Sequence, residues 1–187
     1  GPFVVDAGNV PAGLGLNQHN ATLIDLNGDA LPDFLDTSST ADGGAHRIYF
    51  AELMDGGASR YPNQPVLSAR ASRSEFLLSE PNVQVMDVNG DGFADLVNTL
   101  GGGRVLCNHG DGDWSTEGCG VSAASLATLS SAFQSAEGAD ARGTRMLDID
   151  NDRRIDVIRT ISPGNTQIFR NTGAGFEALS PSVIDHL

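Results

Sequence analysis

The chain has 187 residues and a net charge of −13, and all 11 of its basic residues are arginine. The acidity excludes a typical nucleic-acid binder, which needs a basic face, and the lack of lysine excludes phosphate-binding P-loops and Schiff-base chemistry. No apolar run approaches the roughly 18 residues that would suggest a membrane span.

The N-terminal dipeptide Gly1-Pro2 resembles the remnant of a protease-cleaved tag and is set aside from fold reasoning. We expect the remaining chain to be a piece of a longer protein. Its repeated pattern predicts three blade-like repeats, which span residues 3–80, 81–142 and 143–187.

Each repeat places a short acidic segment between two runs of branched and apolar residues, which is typical of strands. The runs before the acidic segment are 21–24, 83–86 and 145–147. The runs after it are 34–35, 96–97 and 157–158. A third strand is predicted at 46–50, 104–107 and 166–169. The acidic segment therefore links two neighbouring antiparallel strands.

The third strand ends in a glycine-rich turn in two of the repeats. Segments 108–114 and 171–176 both read Asn-x-Gly-x-Gly followed by an aromatic residue, which predicts a tight turn into a fourth strand. The first repeat has a degenerate version at 55–57, with Tyr61 after it. We expect the aromatic residues Trp114 and Phe176 to pack in the core because they occupy matching positions.

Four short antiparallel strands in about 60 residues are typical of one propeller blade. The predicted fold is therefore all-β, with three four-stranded antiparallel blades of a β-propeller. A propeller usually needs at least four blades to close. Three blades predict a fragment, an open arc covered by a partner, or half of a ring closed by a second copy.

The acidic segments recur at a constant period, because their first residues fall at 25, 87 and 148. A short turn can aim the side chains of positions 1, 3 and 5 at one point, and position 7 can add a backbone carbonyl. Position 9 adds a further carboxylate, so the set matches the oxygen ligands that Ca²⁺ prefers. The candidate ligands are Asp25, Asn27, Asp29, Leu31 (backbone) and Asp33; Asp87, Asn89, Asp91, Phe93 (backbone) and Asp95; and Asp148, Asp150, Asp152, Arg154 (backbone) and Asp156.

An EF-hand is excluded, because it needs a glutamate at position 12 and flanking helices. Position 12 here is Asp36, Asn98 or Arg159. A metal-free turn held by hydrogen bonds remains the alternative for each loop. Only the second copy has glycine at position 6, where a positive φ is tolerated, so the second loop is predicted to bind most readily, then the first, then the third.

The acidic pattern together with the Asn-x-Gly-x-Gly turn resembles the FG-GAP/VCBS repeat, which forms the blades of integrin-α-like propellers. The second repeat, residues 80–114, also resembles the VCBS region of insecticidal toxin-complex B components and of related plasmid-virulence and Rhs-type toxins. The resemblance implies that the loops bind up to three Ca²⁺ ions and hold the blades rigid. In those toxins such a propeller caps or connects a shell that carries a toxic segment.

The two cysteines, Cys107 and Cys119, match no zinc pattern. One disulfide, which would suit an oxidising compartment, and two buried free thiols both remain open. The chain contains no paired histidine motif and no Gly-x-Ser-x-Gly elbow. We therefore predict no catalytic residue and no enzyme activity.

The leading functional hypothesis is a Ca²⁺-stabilised scaffold or protein-recognition module of a larger secreted or surface protein. Its expected partners are another protein, other domains of the same protein, or a second copy that closes the ring. A carbohydrate-binding or adhesion propeller is the alternative, although 1 Trp and 2 Tyr offer few rim aromatics. A propeller lyase or hydrolase is a third.

Overall fold

The computed structural model describes residues 16, 19–38, 44–68, 74–98, 103–115, 119–122, 125, 144–162 and 165–179. Within these ranges the chain forms thirteen β-strands and a short 3-10 turn at Ser74–Phe76. All of the strand pairs are antiparallel. The predicted all-β, antiparallel class is therefore confirmed. No helix among the described residues has the length and apolar character to cross a membrane.

The strand bounds follow the predicted runs closely. The strands are β1 Ala21–Ile24, β2 Asp33–Asp36, β3 His46–Tyr49, β4 Glu52–Leu53, β5 Ser59–Arg60, β6 Val66–Ser68, β7 Val83–Met86, β8 Asp95–Asn98, β9 Arg104–Leu106, β10 Thr144–Leu147, β11 Asp156–Ser162, β12 Asn165–Asn171 and β13 Phe176–Leu179. They form sheets in the order β1-β2-β3-β6, β7-β8-β9 and β10-β11-β12-β13, with β4-β5 as a separate hairpin.

Each acidic segment closes a hairpin between the first two strands of its sheet, and the register is the same three times. The strand residue before the loop pairs with the last aspartate of the loop. The pairs are Ile24 with Asp33, Met86 with Asp95, and Leu147 with Asp156. The ninth position of each acidic segment is thus the first residue of the second strand, so its side chain belongs to the sheet as well as to the loop.

Among the described residues, the second repeat shows three of the predicted four strands, and residues 116–118, where the fourth would continue, lie outside the described ranges. Its sheet contains three strands, and the segment after the glycine-rich turn contributes one isolated antiparallel bridge, Cys107 with Ser115. The turn brings Ser115 opposite Cys107. Both cysteines are disulfide-bonded, so neither is a free thiol.

The first repeat contains an inserted hairpin that the sequence did not predict. The turn at residues 55–57 connects β4 to β5, and the fourth strand of the sheet is β6, which pairs with β3. The hairpin is anchored because Tyr61 is buried and its hydroxyl donates to the Pro32 carbonyl at 2.7 Å. The chain therefore leaves the sheet before it returns to form the fourth strand.

The chain divides into two compact units. The first contains residues 1–80 and 107–115, and the second contains 81–106 and 116–187. In the first unit, Phe34, Tyr49, Ala51 and Tyr61 form a buried cluster. In the second unit, strands β8 and β11, each of which is flanked by a strand on both sides in its own sheet, supply fully buried side chains. These include Leu96, Val97 and Val157.

Trp114 lies in the core of the first unit, where 1% of its surface is exposed, and Phe176 is buried in the second. Both match the prediction of core packing. The Trp114 ring meets the His46 ring edge to face, with 6.3 Å between centroids. Neither His46 nitrogen has a hydrogen-bond partner among the described residues. Burial lowers the pKa of His46 to about 4, and the nearby Asp36 opposes this shift.

Candidate metal-binding loops

The first carboxylate of each loop organises the turn rather than pointing freely into solvent. In the first loop, Asp25 accepts hydrogen bonds from the backbone N–H groups of Gly28 at 2.7 Å and Ala30 at 2.8 Å. In the second, Asp87 accepts from the N–H groups of positions 4 and 6 at 2.7 and 2.9 Å. Asp148 does the same for positions 5 and 6 of the third loop, at 3.1 and 2.9 Å. This carboxylate therefore fixes the bend through which the loop turns.

Positions 4 and 6 of every loop have a left-handed backbone conformation, which the sequence pattern predicted at position 6. The three non-glycine residues with positive φ in the described chain all lie there: Ala30 at 64°, Asn151 at 63° and Arg153 at 72°. A side chain with a Cβ is strained in this region by about 1–2 kcal/mol, although asparagine tolerates it better. The first and third loops thus adopt the turn against a conformational cost.

Replacing Ala30 with glycine is expected to raise the free energy of unfolding by about 1 kcal/mol, because the strain at φ 64° is relieved. The matched reverse change is Gly92→Ala, which is expected to cost a similar amount. A Cβ at Gly92 meets no atom within 4 Å, so this change tests the backbone term alone. Urea unfolding of both variants measures the change in the free energy of unfolding. Changes of the same sign in the two variants would contradict the strain attributed to a Cβ at position 6.

The side chains at positions 3 and 5 interact directly in the first two loops. The Asn27 amide donates to Asp29 at 3.1 Å, and the Asn89 amide donates to Asp91 at 2.8 Å. The amide supplies a donor that offsets the negative charge beside it. Position 3 of the third loop is Asp150, an exposed carboxylate that has no such donor to offer.

The carboxylate at position 9 is completely buried in all three loops. Asp33 accepts hydrogen bonds from the N–H groups of Leu26 and Ala51, both at 2.8 Å. Asp156 accepts from Ile149 at 2.8 Å and from Asn171 at 2.7 Å. It therefore joins the second residue of the loop to the end of the third strand.

Burial is the largest influence on the pKa values of Asp33 and Asp156. Desolvation raises the pKa of Asp33 to about 6, although the two backbone hydrogen bonds oppose the shift. Desolvation likewise raises the pKa of Asp156, and the nearby charges of Asp150 and Asp152 add to it. A cation close to either group would favour the charged form.

The third loop brings three carboxylates together. One oxygen each from Asp148, Asp150 and Asp156 lies within 4.8 Å of the others, and this is the one such group among the described residues. Three negative groups at this separation repel one another, so the cluster can hold a metal ion. The fourth acidic residue, Asp152, is paired with the Arg154 guanidinium, whose Nε also donates to the Asn171 carbonyl at 3.0 Å.

The predicted ligand sets are therefore arranged in two ways. The third loop, which was ranked last, gathers its carboxylates at positions 1, 3 and 9. In the first and second loops, the side chains at positions 1, 3 and 5 mainly hold the turn through local hydrogen bonds. The residues predicted to ligate through their carbonyls donate their N–H groups to the position-5 carboxylates at 2.8 Å: Leu31, Phe93 and Arg154.

Sequence reasoning missed the role of two asparagines in the glycine-rich turns. Asn108 and Asn171 are buried and donate their side-chain amides to the acidic loop of the preceding repeat. The shared Asn-x-Gly-x-Gly pattern marked the turn, and its repetition at matching positions was the signal for a shared contact. The two contacts join residues that are far apart in the sequence, by 82 positions for Asn108 and by 83 for Asn171. No local sequence pattern specifies contacts at such a distance.

The fold and these loops define an all-β protein of repeated antiparallel hairpins with acidic turns. No known family profile matches the chain, and no curated protein matches it. It resembles a solved structure described as the Photorhabdus luminescens Tc holotoxin pore with a mutation in TccC3, at a TM-score of 0.54 and 22% identity. The similarity covers 86% of this chain and 6% of the other, so the chain spans a small part of that protein.

Proposed function

We propose that the chain is a Ca²⁺-stabilised, non-catalytic β-propeller segment that serves as a scaffold or protein-recognition module of a larger secreted toxin-type protein. The observation that carries the proposal is the group of three carboxylates in the third loop, at the turn of a hairpin that recurs three times. The similarity to a toxin-complex chain supports the same fold and gives the toxin context.

The donor chemistry of the third loop fits a hard cation such as Ca²⁺ better than it fits zinc or copper. All three side chains offer hard oxygen atoms, and Ca²⁺ takes six to eight oxygens in flexible geometry. Zinc and copper sites use histidine or cysteine, and neither occurs in the group. Although both Asp156 oxygens accept an N–H, each carboxylate oxygen has a second lone pair that remains for a cation.

A Ca²⁺ ion at this site would neutralise the repulsion among Asp148, Asp150 and Asp156 and would hold the first two strands of the third sheet at their turn. An extracellular location, where Ca²⁺ is abundant, suits a modest-affinity loop of this kind. The binding energy would then add to the free energy of unfolding by mass action.

A groove in the first unit favours a recognition role. It is an open depression of about 590 Å³ beside the first loop, and it is lined by the apolar side chains of Leu31, Phe50 and Leu53, together with Asp29 and Glu52. Leu53 lies on the inserted hairpin and is 65% exposed. An apolar groove with acidic groups at its rim suits a protein segment that presents an apolar residue beside a basic one.

Calorimetric titration with CaCl₂ tests the metal site. The wild-type chain is expected to bind Ca²⁺, and Asp150→Ala is expected to weaken the third-loop event by about tenfold or more, because one of three carboxylates is lost. Asp150 is exposed, so the change removes little packing. Glu80→Ala, an exposed carboxylate outside the loops, is the control. Identical isotherms for the two variants, or no binding by the wild type at millimolar CaCl₂, would contradict the proposal.

A further inference from the structure

Two buried asparagines connect consecutive repeats at equivalent points. The Asn108 Nδ2 donates to the Leu26 carbonyl at 2.7 Å, and the Asn171 Nδ2 donates to the Val88 carbonyl at 3.0 Å. Leu26 and Val88 are both the second residue of an acidic loop. The turn of the second repeat therefore contacts the first loop, and the turn of the third repeat contacts the second loop.

Each of these asparagines is itself held in one orientation. The Oδ1 of Asn108 accepts from the Gly110 N–H at 2.9 Å, and the Oδ1 of Asn171 accepts from the Gly173 N–H at 2.9 Å. Their exposed fractions are 2% and 0%. Because the oxygen is used within the turn, the amide nitrogen is the group that faces the preceding loop.

The loop residue that receives this hydrogen bond is fixed from both ends of its backbone. The Leu26 N–H donates to Asp33 at 2.8 Å, and the Val88 N–H donates to Asp95 at 3.0 Å. The Leu26 and Val88 side chains are fully buried. The second residue of the loop is thus set by a carboxylate of its own repeat on one side and by an asparagine of the next repeat on the other.

The first repeat distinguishes the backbone contact of the residue at the end of the third strand from the side-chain contact that asparagine adds there. Ala51 occupies the place at the end of the third strand that Asn171 has in the third repeat, and both donate a backbone N–H to the position-9 carboxylate, at 2.8 and 2.7 Å. The backbone contact belongs to each repeat and does not need asparagine. The side-chain amide is therefore needed only for the contact with the preceding repeat.

We propose that Asn108 and Asn171 are positioning residues, each of which sets the geometry of the acidic loop in the preceding repeat. The first loop is then ordered by the second repeat, and the second loop by the third. As far as it concerns calcium, the inference rests on the proposed function: each asparagine tunes the Ca²⁺ affinity of the loop before it.

Hydrogen exchange of backbone amides in EGTA tests the contact without metal. Asn171→Asp keeps the size of the side chain and the oxygen that accepts from Gly173 but removes the donor to Val88. The amides of Val88 and Gly92 are expected to exchange about tenfold faster, because the loop loses a buried hydrogen bond. Exchange of the first-loop amides is expected to stay unchanged. Asn165→Asp, the same change at an exposed site of the same strand, is the control.

Asn108→Asp provides the reciprocal test. Amide exchange is expected to be faster in the first loop and unchanged in the second. This variant also carries the test alone if the Asn171 variant does not fold. Equal acceleration in both loops for either variant, or none in the loop that is contacted, would overturn the positioning role.

Titration with CaCl₂, followed by the amide resonances of each loop, tests the coupling. Asn171→Asp is expected to raise the apparent Kd of the second loop about tenfold and to leave the first loop unchanged. Equal affinities in the wild type and the variant would overturn the coupling. If the wild-type loops bind no Ca²⁺, the proposed metal function fails for them, and the exchange result in EGTA still decides the positioning role.

Discussion

Replacing Asp156 with alanine is expected to lower the free energy of unfolding by about 3–5 kcal/mol, and the loss is expected to persist in EGTA. The carboxylate is fully buried and accepts the N–H groups of Ile149 and Asn171. Its removal leaves two backbone donors without partners, and each hydrogen bond to a charged group is worth about 1.5–3 kcal/mol. Chemical denaturation of the variant and the wild type measures the difference.

Asp150→Ala is the informative comparison, because it changes the same loop without removing a buried acceptor. In EGTA it is expected to leave the free energy of unfolding unchanged or slightly raised, since it relieves the repulsion with Asp148 and Asp156. In CaCl₂ it is expected to lose the stabilisation by the metal. Equal losses for the two variants in EGTA would show that position 9 has no separate structural role.

Acidification from pH 6.5 to 4 is expected to destabilise the first unit through His46 by about 3 kcal/mol. Its pKa is about 4 in the folded chain and 6.5 when exposed, so in this range the unfolded chain binds a proton that the folded chain does not. The contribution is complete above pH 6.5 and is lost as the pH falls to about 4. Urea unfolding at several pH values measures it.

His46→Phe is expected to flatten this pH dependence, because an apolar ring in the same place packs against Trp114 and does not titrate. His109→Gln, at an exposed turn position, is the control and is expected to retain the wild-type profile. Asp33 contributes in the opposite direction, since its raised pKa favours the folded chain as the pH falls. Asp33 is present in both variants, so its contribution cancels when the free energies of unfolding of the two variants are subtracted at each pH. The same pH dependence of stability in both variants would contradict the role of His46.

Much of the local structure was predictable, because it depends on patterns shorter than ten residues. The first strand of each repeat begins within one residue of the predicted run, and the positive φ at Ala30 and Arg153 follows from their alignment with Gly92. The hairpin β4-β5 was missed, because the turn at 55–57 has glycine like the other turns and gives no sign that it lies outside the sheet.

The candidate site was predictable in composition but not in geometry. The sequence predicts fifteen candidate ligands, yet it does not reveal that Asp33 and Asp156 are buried and bonded to backbone N–H groups. The predicted order of the loops followed from glycine at position 6, but the residue that completes the carboxylate group is Asp150 at position 3, where the other loops have asparagine. Long-range contacts, such as that of Asn171 with Val88, depend on the packing of whole repeats.

Thermal melting in CaCl₂, in EGTA and in MgCl₂ tests the central claim, that the acidic hairpin loops form a calcium-stabilised structure. At a Ca²⁺ concentration 100 times the Kd, one site adds about 2.7 kcal/mol, which for a chain of this size is a rise in Tm of about 5 °C or more. We predict this rise with CaCl₂, little change with MgCl₂, and a smaller rise in Asp150→Ala, which lacks one carboxylate of the third loop. Equal melting temperatures in CaCl₂ and EGTA would contradict the claim and would leave hydrogen bonds alone to hold the loops.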